Sequence, residues 1–160
     1  MDVGHHLPWL RAVTDDSGRP LNWRDARRSR VVFFTHPGAC GDCARLAAGL
    51  LETRDALRRS DSDLWFVGDS VPPVTTTADD VRRVTGDAER GLRTRAGVSE
   101  DGAWLIVADR WGQVWQAAAA DDRHTLATPA DALETAWFIA VQCPECETLD
   151  QPTDDWSSVH

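Results

Sequence analysis

The chain contains no lysine and no tyrosine, and only one methionine among its 160 residues. All seventeen cationic side chains are therefore arginine. A GC-rich coding bias produces that pattern, so it speaks of the source rather than of the chemistry. Positive charge is short overall, because twenty-six acidic residues leave a formal net charge of −9. A surface of that sign repels phosphate backbones and anionic lipid, which argues against nucleic acid and the anionic membrane as partners. No apolar run has the roughly 20 residues that a membrane-spanning helix needs. The first residues, Met1-Asp2-Val3-Gly4-His5-His6-Leu7, lack a basic segment followed by an apolar stretch, so no secretory signal is read and the expected location is cytoplasmic. Internal repeats and low-complexity tracts are absent too. An apolar content of 42% in a chain of this length predicts a folded domain with a full core.

Cysteine is scarce but patterned. The four cysteines fall into two pairs of i, i+3 spacing, Cys40 with Cys43 and Cys143 with Cys146. Without a secretory signal, that spacing points to redox or metal chemistry rather than to a disulfide scaffold. The first pair has an informative setting. Val31 to Thr35 is a short run of β-branched and aromatic residues, as in a strand buried on both faces. His36, Pro37 and Gly38 break it, and Ala44 to Glu52 reads as a helix. Cys40 thus stands at a helix N-terminus, where free N–H groups and the positive dipole end favour a thiolate. It is the candidate attacking nucleophile, and Cys43, one turn in, is the candidate resolving thiol. The alternative is two small side chains that only pack. Asp42 adds a negative charge between them that opposes the thiolate and makes the pair a stronger reductant. His36 is the candidate proton shuttle for Cys40, the other reading being a plain loop residue before proline.

The remaining elements follow in order. Asp63 to Gly68 predicts a second strand, reached through a helix whose polar end, Arg54 to Ser62, is a solvated face; strand, helix and strand make a βαβ unit. Val71 to Thr77 contains a Pro-Pro pair and predicts a loop. Two helical stretches are expected, Ala78 to Val84 and Asp87 to Ala96, the latter capped by Gly97. Ala103 to Ala108, the turn Asp109-Arg110-Trp111-Gly112 and Gln113 to Ala117 predict a hairpin. Ala118 to Thr128 is a polar connection. Thr128 and Pro129 then open a terminal helix to Gln142, with Leu133, Ala136, Trp137, Ala140 and Val141 as its apolar stripe. Trp65, Trp104, Trp115 and Trp137 are expected in the core and Trp111 on the surface. The arginine runs at 27–30 and 58–59 read as solvated faces. The division expected is a domain over 1–142 and, over 143–160, the Cys-Pro-Glu-Cys motif with an acidic tail.

Strand, Cys-x-x-Cys helix, strand, helix, hairpin and helix in that order resemble the thioredoxin-like fold, and within it the redoxin branch of peroxiredoxins and related thiol–disulfide proteins. Val13 to Leu21 is similar to the branch's N-terminal hairpin, and Val31 to Cys43 to its active-site strand and loop. Gly86 to Val98 resembles its "Y-G-V" helix, and Leu105 to Val114 its "F-L-I-D-x-x-G-x-I" strand. The resemblance implies an α/β three-layer sandwich with a central mixed sheet and an N-terminal β extension. It implies an oxidoreductase acting through Cys40 and Cys43 on a disulfide or a peroxide, with an external electron donor and no cofactor. Phe33 and Pro37 stand where peroxiredoxins carry proline and threonine, and Gly102 and Ala103 where thioredoxins carry a proline before the hairpin.

Cys143 and Cys146 admit three readings: a second redox pair, a terminal clip, or half of a metal site for zinc or iron. Two copies of the pair sharing one metal would make a homodimer. A metal-binding or scaffold protein without turnover, using either pair, is the alternative to the enzyme. A single site using all four cysteines of one chain is not expected. In the fold implied, the terminal helix carries its C-terminal end away from Cys40, by about 21 Å for fourteen residues.

Overall fold

The computed structural model describes residues 2–8, 10, 13–23, 27–71, 79–120 and 127–142. In chain order the elements are β1 (Ser29–Phe34), α1 (Gly41–Glu52), α2 (Arg54–Arg59), β2 (Ser62–Val67), β3 (Val81–Val84), α3 (Gly86–Ala96), β4 (Trp104–Ala108), β5 (Val114–Ala119) and α4 (Pro129–Ala140). The strands make one sheet in the order β3-β2-β1-β4-β5. β1, β2 and β3 are parallel, while β4 is antiparallel to β1 and β5 antiparallel to β4.

Alternation along the strands sorts the core into two layers. On one face Val31, Phe33, Leu64, Phe66, Leu105 and Val107 meet Ala47 and Leu50 of α1, Leu57 of α2, and Ala132, Ala136 and Ile139 of α4. On the other face Val32, Phe34, Trp65, Val67, Ile106 and Ala108 lie under Leu92 and Ala96 of α3. Leu7, Leu10, Leu21 and Trp23 of the N-terminal segment complete that cover. β1 is central and buried on both faces, which is why it reads as an unbroken apolar run. The result is the expected three-layer α/β sandwich with a mixed sheet.

Local signals act where the sequence places them. Thr128 and Asp131 form a reciprocal capping box at the start of α4, with Pro129 in the first turn. Gly97 ends α3 in the left-handed region at φ 67°. In the β4–β5 turn the buried Asp109 carboxylate accepts the N–H groups of Trp111 and Gln113 and the indole N–H of Trp115. Among the described residues, the N-terminal β extension consists of two isolated bridges, His6 with Gln113 and Thr14 with Pro20. The turn between Thr14 and Pro20 is built on Asp15, whose carboxylate accepts from Ser17 and Arg19 and reaches Arg82 on β3 at 3.2 Å.

Five expectations are corrected. Val81 to Val84 is a strand, not the end of a helix over 78–84, because it pairs with β2 and its two valines turn into the core. Its arginines are held from the N-terminal turn, Arg82 by Asp15 and Arg83 by Asp16. Arg30 is no solvated residue. It lies on the Val32–Phe34 face of β1, buried over the Trp65 ring, and donates to the carbonyls of Arg28 and Ser29. The polar stretch 54–62 is α2 and the start of β2, and it buries Leu57, Ser60 and Ser62. The buried stripe of α4 is Ala132, Ala136 and Ile139, so Trp137 points outward and is 55% exposed. Trp111 is only half-buried, under the Arg110 guanidinium. The second cysteine pair, the acidic tail, and most of the Pro-Pro loop and of the 118–128 connection lie outside the described residues.

Candidate active site

β1 and β2 run parallel with Phe34 opposite Val67, so the residues that follow them leave the same edge of the sheet side by side. The C-terminal edge of parallel strands is where such folds present their chemistry. Thr35 and His36 emerge from β1, Gly68 to Ser70 from β2, and α1 begins above both. The Thr35 N–H donates to the Val67 carbonyl at 2.9 Å, extending the ladder by one residue.

Cys40 is the N-cap residue of α1, with extended backbone, and its sulfur accepts the Cys43 N–H at 3.5 Å. Its own N–H donates to Ser70 Oγ at 3.0 Å, and the Ser70 hydroxyl donates to the Gly38 carbonyl. Ser70 therefore clips the 38–40 loop to the end of β2. Cys40 is half-buried, and Cys43, one turn later, is buried in the core. Both are thiols. Cys43 Sγ receives the His36 backbone N–H at 3.3 Å and faces His36 Nδ1 at 3.3 Å. The ligating atoms of His36, Cys40 and Cys43 all lie within 4.8 Å of one another. The three site residues proposed from sequence are thus one cluster, with the imidazole resting on Cys43.

Burial pushes the Cys43 thiol up to about 11. The His36 N–H pulls it down, and Cys40 and Asp42 add smaller upward pushes. Asp42 is ion-paired with Arg45 at the surface, so its own effect stays minor. The raised value means that the folded protein keeps this proton long after an unfolded chain, with the ordinary thiol value of 9.0, has lost it. Stability linked to this proton is therefore present below pH 9 and lost between about 9 and 11. Alkylation has the same sign. Iodoacetamide at pH 8 is expected to label Cys40 and spare Cys43, with Cys43 labelling climbing only toward pH 11. Peptide mass spectrometry after timed labelling reads this directly.

Two residues behind the cluster fix its position. Arg93 of α3 is buried, with its guanidinium 5.6 Å from the centre of the Phe34 ring. It donates to the carbonyls of Thr35, Ser99 and Gly102 and pairs with Glu89 at 3.0 Å. It thereby ties the end of β1 to the segment entering β4. Gly68 sits at φ 128°, where a Cβ would lie 2.1 Å from Thr35 Oγ1. The conformation and the clash both oppose a side chain, so Gly68→Ala should destabilise the fold by about 2–5 kcal/mol. Equilibrium denaturation measures that, and the shift of Thr35 should also disturb His36.

α4 carries its C-terminal end away from this cluster. Ile139, Ala140 and Gln142 line a small cavity with Arg27, Ser29, Ser60 and Asp61, at the opposite ends of β1 and β2 from Cys40. Cys143 and Cys146 follow, outside the described residues.

No family model matches the chain, and no curated protein sequence matches it. Solved structures do. A thiol:disulfide interchange protein DsbE from Chlorobium tepidum superposes with a TM-score of 0.61 at 19% identity, over 89% of this chain and 99% of that one. Peroxiredoxin Q from Xanthomonas campestris gives 0.63 at 18% identity, over 87% and 99%. The peroxidoxin BcpB of Mycobacterium tuberculosis gives 0.63 at 18%, over 89% and 99%. The fold is thioredoxin-like. Its Cys40–Cys43 helix begins beyond the central strand, β1. Within this thioredoxin-like frame, Ser70 and Arg93 carry no motif in the sequence. The one signal for Ser70 is its place just past a predicted parallel strand. Among the described residues no helix is long and apolar enough to cross a membrane.

Proposed function

We propose that the protein is a thiol–disulfide oxidoreductase that uses Cys40 and Cys43 as a reversible dithiol. The observation that carries this reading is the placement of a buried resolving sulfur within 4.8 Å of a half-exposed one, with an imidazole nitrogen 3.3 Å from the buried sulfur. The Cys40 thiolate attacks one sulfur of a substrate disulfide, forming a mixed disulfide and expelling the other half as a thiolate. His36 Nδ1 then takes the Cys43 proton as Cys43 attacks Cys40 Sγ. The second substrate thiolate leaves, and the Cys40–Cys43 disulfide remains. Overall two electrons pass from the protein dithiol to the substrate, which departs as two thiols. An external dithiol donor resets the site.

Exchange is favoured over peroxide reduction by the commitments of the nearby cation. Arg93 spends all three of its guanidinium nitrogens on three carbonyls and Glu89. Phe33 is buried in the core, and Pro37 supplies no hydroxyl to cradle an O–O bond. The test is reduction of insulin disulfides by dithiothreitol, with hydrogen peroxide consumption run in parallel. Wild type should accelerate insulin reduction, and Cys40→Ser should fall to the reductant-only rate. Equal rates for the two proteins would refute the proposal, and rapid peroxide consumption lost in Cys40→Ser would replace it.

A further inference from the structure

We propose that His36, Cys40 and Cys43 also form a three-ligand site for a thiophilic divalent cation of the Zn²⁺ kind. One coordination position stays open to solvent, and the site exists only while both cysteines are thiols. The donors are one imidazole nitrogen and two sulfurs, all within 4.8 Å of one another. A tetrahedral Zn²⁺ with sulfur at about 2.3 Å and nitrogen at about 2.0 Å sets its donors about 3.5–3.8 Å apart. His36 Nδ1 and Cys43 Sγ are already 3.3 Å apart, so the set closes on an ion by adjustments of about 1 Å.

The cluster carries outer contacts of the sort that orient metal ligands. Cys43 Sγ accepts the His36 N–H and Cys40 Sγ accepts the Cys43 N–H. Ser70 fixes the backbone of Cys40. Two thiolates and an imidazole select a soft or borderline ion over magnesium or calcium, and the half-burial of His36 and Cys40 leaves an entry path and the open position.

Ligation stands on this geometry alone, while its consequence for the redox cycle rests on the exchange reading above. A disulfide uses both sulfurs, so cation and disulfide exclude one another. Oxidation of the loaded site by a substrate disulfide sends two electrons to the substrate, which takes up two protons and leaves as two thiols. The cation is released as the Cys40–Cys43 bond forms. A bound cation would therefore hold the dithiol in reserve.

The test titrates the reduced full-length protein with Zn²⁺ against a chromophoric chelator, and with Co²⁺ for its visible spectrum. Wild type is compared with Cys143→Ser/Cys146→Ser, His36→Ala and Cys43→Ala. One equivalent should persist in the Cys143→Ser/Cys146→Ser protein with the intense bands of tetrahedral thiolate-bound Co²⁺. Affinity should fall at least about tenfold in His36→Ala, with altered bands, and further in Cys43→Ala. Oxidised wild type should release the ion and recover it on reduction, a comparison that needs no substitution and no refolding. An equivalent that survives Cys43→Ala but vanishes with Cys143 and Cys146 overturns the proposal, as does affinity indifferent to His36→Ala. Peptide mapping of the Cys40–Cys43 disulfide on the same samples separates the two readings. A disulfide without cation binding sinks the cation site alone, and binding without a disulfide sinks the exchange reaction alone.

Discussion

Cys43→Ser should react once and stop. Cys40 keeps its place at the N-cap of α1, its N–H bond to Ser70 and its access to solvent, so the first exchange proceeds. The hydroxyl at position 43 cannot displace a thiolate from the mixed disulfide, and multiple-turnover insulin reduction should drop to the reductant-only rate. Intact-mass analysis of reduced Cys43→Ser exposed to insulin without dithiothreitol should show one substrate half per protein, located on Cys40 by peptide mapping. The size of the loss depends on no other thiol reaching Cys40. Gln142 stands at the opposite ends of β1 and β2 from Cys40, and this distance favours a stable trap. Turnover that persists in Cys43→Ser and disappears when Cys143 or Cys146 is also replaced would show that the C-terminal pair reaches the site and resolves the intermediate.

What the sequence made legible follows from how many constraints bear on each stretch. β1 was readable because it is buried on both faces and because His36, Pro37 and Gly38 end it sharply. The dithiol was readable from its spacing at a strand-to-helix junction, and Thr128, Pro129 and Gly97 act by local chemistry alone. β3 was not, since a Val-Arg-Arg-Val segment has no decisive period and becomes a strand only by pairing with β2 and by arginine contacts to Asp15 and Asp16. Arg30 belongs to a charged run, and only the register of β1 against β2 sets it over Trp65. Trp137 lies one position of helical phase away from the buried stripe, which Ala136 and Ile139 take. Ser70 and Arg93 are tertiary facts. Ser70 meets the cysteine loop only because β1 and β2 are parallel and in register, and Arg93 reaches Thr35 only because α3 covers that face. The partner of the His36 imidazole is a fact of the same kind, fixed by a side-chain orientation that spacing does not encode.

That orientation underlies the second large effect, expected for His36→Ala. Burial pushes the Cys43 thiol up to about 11, so it carries its proton at neutral pH and resolution needs a base at the moment of attack. His36 Nδ1 at 3.3 Å is placed to be that base, and removing such a group typically slows a step by about 10²- to 10⁴-fold. The backbone N–H of residue 36 still donates to Cys43 in the variant, so the change isolates the imidazole. Two signatures set this apart from loosened packing. Formation of the mixed disulfide at Cys40 should keep its wild-type rate while its resolution slows, which stopped-flow quenching with mass analysis separates. Resolution in the variant should rise about tenfold per pH unit up to the Cys43 value, because free hydroxide must now remove the proton. The wild-type rate should depend far less steeply on pH, because the imidazole beside Cys43 takes the proton. Added imidazole should restore part of the loss. If both steps slow equally with a parallel drop in melting temperature, His36 holds the loop in place and some other group takes the proton.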